Sequence, residues 1–69
     1  MQYKVKFYDS GVNIVKRGVC QPFETYQTND YAAARKDCVN VTLDNPSFTA
    51  ILVNNTTGNY VYFYDGSEV

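Results

Sequence analysis

At 69 residues the chain is one domain, and with 45% hydrophobic and 19% charged residues it is too apolar to be disordered and too interrupted to span a membrane. Six Lys and Arg against seven Asp and Glu leave a net charge of −1, so no overall field gathers phosphates or an anionic lipid surface. The lack of any His removes the commonest general base, the commonest metal ligand and every His-activated nucleophile, which points away from an enzyme.

Gln2 to Tyr8 alternates, with Tyr3, Val5 and Phe7 on one side and Lys4, Lys6 and Tyr8 on the other, the period of a half-buried strand. Lys4, Lys6 and Asp9 also interrupt the apolar residues of this segment. It therefore resembles neither a signal-peptide core nor an Arg-rich transit helix, and the expected location is the cytoplasm. Asp9-Ser10-Gly11 has turn chemistry. Between Val12 and Gln27 the signals conflict: Val12, Ile14 and Val15 favour strand, Lys16-Arg17-Gly18 suggests a second turn, and Phe23 to Gln27 can pair again. Pro22 argues against one unbroken central strand.

A helix of about three turns is expected next, capped by Thr28 or Asn29, opened by Asp30 and continued by Tyr31-Ala-Ala-Ala-Arg-Lys-Asp-Cys38. Tyr31, Ala34, Cys38 and Val41 fall on one stripe, so Cys38 is read as a core thiol, while Arg35, Lys36 and Asn40 face away. Asp44-Asn45-Pro46 ends the helix. Phe48 to Val53 and Tyr60 to Tyr64 then form a hairpin, with Gly58 in the left-handed position of its loop. That loop sets Val53 opposite Val61, Ile51 opposite Phe63, Leu52 opposite Tyr62 and Ala50 opposite Tyr64.

These elements predict an α+β domain over 1–69, with about four antiparallel strands in ββαββ order and one helix on one face of the sheet. The aliphatic row Ile51, Val53, Val61 and Phe63 is expected to face the helix, because tyrosines there would bury hydroxyls. Lys4, Lys6, Tyr8, Leu52, Tyr60, Tyr62 and Tyr64 would then form an exposed aromatic platform, of the kind that marks protein interfaces.

Other chemistry is weak. Two Cys without His make a poor zinc site, and the four glycines are scattered rather than gathered in a phosphate loop, so neither metal nor cofactor is expected. A reducing compartment favours two thiols over a Cys20–Cys38 disulfide, and Cys20, although near Lys16 and Arg17 in sequence, reads as an ordinary thiol rather than a nucleophile. Asp65 and Glu68, with Asp9, read as solvated charges before they read as an ion site. The expectation is a non-enzymatic protein-binding module, a homodimer or a binder of another protein; the alternative is single-stranded nucleic-acid binding through Tyr stacking with Lys4 and Lys6. In size and style the chain is similar to the small accessory proteins that bacteriophages and prophages encode to bind and block host factors. That resemblance implies a protein partner and carries no motif.

Overall fold

The computed structural model describes residues 1–64, Tyr64 only as a member of its strand. In chain order the elements are β1 (Tyr3–Tyr8), α1 (Val12–Lys16), β2 (Glu24–Thr28), α2 (Tyr31–Asp44), β3 (Thr49–Asn54) and β4 (Tyr60–Tyr64). The strands form one antiparallel sheet in the order β2-β1-β3-β4, so β2 and β3 flank β1 and α2 crosses over between them. The α+β class and the four-stranded antiparallel sheet follow the sequence; the helix α1 is an addition to ββαββ.

α1 forms where β-branched residues suggested strand. Gly11 is its N-cap without any side-chain hydrogen bond. At the other end Gly18 takes φ +70, its N–H donates to the Val15 carbonyl (3.0 Å) and the Val19 N–H donates to the Ile14 carbonyl (3.3 Å). These paired bonds satisfy the last helical carbonyls, and glycine supplies the left-handed residue they need. Tertiary packing does the rest: Val15 is buried against Tyr8, Ile51 and Val53.

α2 runs 14 residues, one turn beyond the expected length. Its cap is Asp30 rather than Thr28 or Asn29: the Asp30 carboxylate accepts from the Ala33 N–H (3.0 Å), while Thr28 Oγ1 accepts from the Asp30 N–H and Asn29 Oδ1 from the Gln2 N–H. Ala34 and Cys38 are buried and Tyr31 and Val41 pack beside them, as the stripe requires. Both cysteines are free thiols.

The two faces of the sheet are both covered, and this overturns the expected assignment of sides. Pairing of β1 with β3 sets Val5 opposite Leu52 and Phe7 opposite Ala50. Those four residues therefore share the α2 face with Ala34 and Cys38, and Tyr62 packs on the same cluster. Ile51, Val53 and Phe63 lie on the other face, with Tyr8, beneath α1. The sequence pattern could be reconciled with either side because each row of β3 is apolar; the pairing partner decides it.

The hairpin follows the expected register only up to Leu52. Ala50↔Tyr64, Ile51↔Phe63 and Leu52↔Tyr62 hold, but a bulge then sets Val53 opposite Tyr60, leaving Val61 as the extra residue. One consequence is that Tyr60 and Phe63, three residues apart, come together, with ring centroids 6.0 Å apart. Gly58 has φ +76 and donates its N–H to the Asn54 carbonyl at 2.7 Å. An added Cβ there would meet nothing within 4 Å. Gly58→Val is thus expected to destabilise through backbone strain alone, by about 1–2 kcal/mol, read as a lower midpoint in urea; an unchanged midpoint would contradict the loop geometry.

Candidate functional site

The platform expected from the sequence does not assemble. Leu52 is 0% exposed and cannot meet a partner, and Tyr62 packs on the α2 side with the Arg35 guanidinium carbon 4.9 Å from its ring centroid. Lys4, Lys6, Tyr8 and Tyr60 belong to the opposite face, where Lys4 pairs with Val53, Lys6 with Ile51 and Tyr8 with Thr49. Tyr8 is only 6% exposed, and burial, followed by its neighbours Tyr60 and Cys20, raises its pKa above the ordinary tyrosine value. Tyr64 pairs with Ala50, but its side chain lies outside the described residues, as do Asp65 and Glu68. Among those of the seven whose side chains are described, Tyr60 is the strongly exposed ring, at 54%.

What the fold leaves open is an edge. β2 and β4 are the outer strands, and their compositions differ. β2 reads Glu-Thr-Tyr-Gln-Thr, whereas β4 reads Tyr-Val-Tyr-Phe-Tyr, with no charge and no proline. Among the described residues nothing pairs with the outer side of β4. An uncharged strand edge is a template for another strand, because its outward N–H and C=O groups lack ladder partners. Val61, at the bulge, is 42% exposed beside Tyr60.

The flank of α2 on the β4 side completes this region. Arg35 lies over Tyr62, and Tyr31, Ala32, Arg35, Lys36 and Val39 line a shallow groove of about 400 Å³. The lining holds two cations and no carboxylate. Asp37 belongs to the other flank of the helix, where it accepts a 2.7 Å hydrogen bond from the Tyr26 hydroxyl of β2. That bond, after burial, raises the Tyr26 pKa further. The helix therefore carries Arg35 on its β4 side and Asp37, engaged by Tyr26, on its β2 side.

On the α1 side, Lys16 Nζ sits 5.1 Å from the centroid of Phe63. Cys20 Sγ lies 3.1 Å from Ser10 Oγ and packs beside the Tyr8 and Val15 cluster. Among the described residues no three His, Cys, Asp or Glu side chains approach closely enough to hold a metal ion, and no helix is long and apolar enough to cross a membrane. Sequence reasoning missed the edge because strand order is not encoded locally. It also separated Arg35 from Tyr62, although the outward placing of Arg35 on the helix was already apparent. Comparison with protein-family models, curated proteins and solved structures finds no match to this chain.

Proposed function

We propose that this chain is a non-enzymatic protein-binding module whose binding element is the outer edge of β4. The observation that carries the reading is the uncharged Tyr60–Tyr64 edge with Tyr60 and Val61 exposed beside it. Addition of a strand to such an edge uses main-chain hydrogen bonds for affinity and side chains for selection. Aromatic residues at the joint supply buried area with little loss of rotamer freedom. The strand added belongs to another protein or to a second copy. A small cytoplasmic accessory protein that occupies a host factor fits this reading in size.

The nucleic-acid alternative gains less support. Lys4, Lys6, Tyr8 and Tyr60 do share a face, but Tyr8 is packed in the core, and the exposed Tyr60 ring alone does not make a platform for successive bases.

The test places a photoreactive benzophenone side chain at Val61 or, as a control, at Thr25 on the β2 edge, and irradiates the protein in its native host and at high concentration alone. Adducts are expected from position 61 and not from position 25, with light scattering showing whether the adduct is a self-dimer. Equal yields from both positions, or none from 61 together with a strict monomer, would overturn the reading.

A further inference from the structure

We infer that the strand taken up by the β4 edge is an acidic one, whose carboxylates are received by Arg35 and Lys36. This rests on the edge reading and adds the chemistry of the partner. A strand paired with β4 comes beside the flank of α2 that carries Arg35, since Arg35 already reaches over Tyr62 in that strand. Alternate side chains of an added strand point to one face of a sheet, so every second residue of the newcomer points toward that flank. The first group they meet is Arg35, and the α2 groove that Arg35 lines continues from it with Ala32 and Val39 as its apolar part and Lys36 as its second cation.

Charge complementarity selects among occupants. Asp37, the carboxylate beside these cations in sequence, is held on the far flank by Tyr26. An acid arriving next to Arg35 finds a guanidinium whose carbon lies 4.9 Å from the Tyr62 ring centroid and whose forked N–H donors suit a carboxylate. A second copy fits less well. Antiparallel pairing of two β4 strands about a two-fold axis at Tyr62 would carry both helices to the same face and bring Arg35 toward Arg35, a like-charge contact.

The experiment titrates the full chain with three fluorescent probes: a peptide of alternating Glu and Val, its Lys and Val counterpart, and an oligothymidylate. Anisotropy reads affinity, and the amide NMR shifts of residues 60–63 read location. The Glu peptide is expected to move those amides and to bind at least about ten-fold tighter than the Lys peptide. Both the preference and its salt dependence should be lost in the doubly substituted Arg35→Met, Lys36→Met chain, which keeps the aliphatic stem over Tyr62 and an unchanged melting temperature. Equal binding of both peptides, with β4 amides moving, would overturn the acidic partner and leave the edge reading standing. So would unmoved β4 amides while benzophenone at position 61 still forms adducts. Displacement of the Glu peptide by oligothymidylate would assign the cations to phosphate and overturn the inference as well. Failure of peptides and adducts alike would remove both readings.

Discussion

Ile51→Ala and Leu52→Ala are each expected to lower the unfolding free energy by about 3 kcal/mol, a large share of what a domain of this size has. The two residues are adjacent in β3, point to opposite faces and are both fully buried. Leu52 packs with Val5, Phe7, Ala34 and Cys38 under α2, and Ile51 with Tyr8, Val15 and Val53 under α1. Each truncation leaves a void in a different layer, so the costs should be close to additive in the double variant. In a sheet covered on one side only, one of the pair would be nearly silent. Urea denaturation checks this, and a cost for Ile51→Ala below about 1 kcal/mol would mean that five residues of α1 do not seal their face.

Alkali should unfold the domain from about pH 9 upward, and Cys38 should lead. Burial, followed by the Asp37 carboxylate beside it, pushes the thiol from its ordinary 9.0 to about 12, and Tyr8 and Tyr26 are raised above the tyrosine value of 10.0 mainly by burial. All three hold their protons more tightly in the folded chain than in the unfolded one. The stability they carry is therefore complete below the unfolded pKa values and is lost as pH rises through the folded ones. For Cys38 the whole interval is about three pH units, or about 4 kcal/mol at the limit. Denaturation midpoints measured with reductant between pH 7 and 11 should fall progressively above pH 9, and Cys38→Ala should flatten the first part of that fall. A flat profile in the parent protein would contradict the burial of the thiol.

How far the sequence disclosed this molecule depends on the range of the interaction concerned. β1, the α2 stripe and the hairpin were legible because each is written in a local period or in one turn residue: alternation over Gln2 to Tyr8, the spacing of Tyr31, Ala34, Cys38 and Val41, and Gly58. α1 was legible in part. Lys16-Arg17-Gly18, read as a turn, is also the basic last turn and glycine terminator of a helix, but Val12, Ile14 and Val15 outweighed it. The site was not legible, because it depends on which strand lies beside which. Val5 opposite Leu52 rather than Ile51 is a one-residue difference between strands far apart in sequence, and it sends every β3 side chain to the other face. The bulge at Val61 then moved Tyr60 away from Tyr62. Lys4 and Lys6 do share the face of Tyr8, as the alternation implies, but Tyr8 is buried there and their neighbours on β3 are Val53 and Ile51 rather than Leu52.

The sheet order has a consequence for synthesis. β1 lies between β2 and β3, yet it is made before both, and its second ladder closes only when Asn54 meets Tyr3. At roughly 5–20 residues per second, Val5 and Phe7 wait a few seconds on the ribosome before β3 exists. Once β2 emerges it can pair with β1, but until β3 follows α2 has no complete sheet to pack on, so the first hairpin must survive with only α1 beside it. The nascent chain is thus most open to capture by chaperones just before Asn54 emerges, and substitutions that stabilise the β1–β2 pair should raise the yield of folded protein more than they raise its final stability.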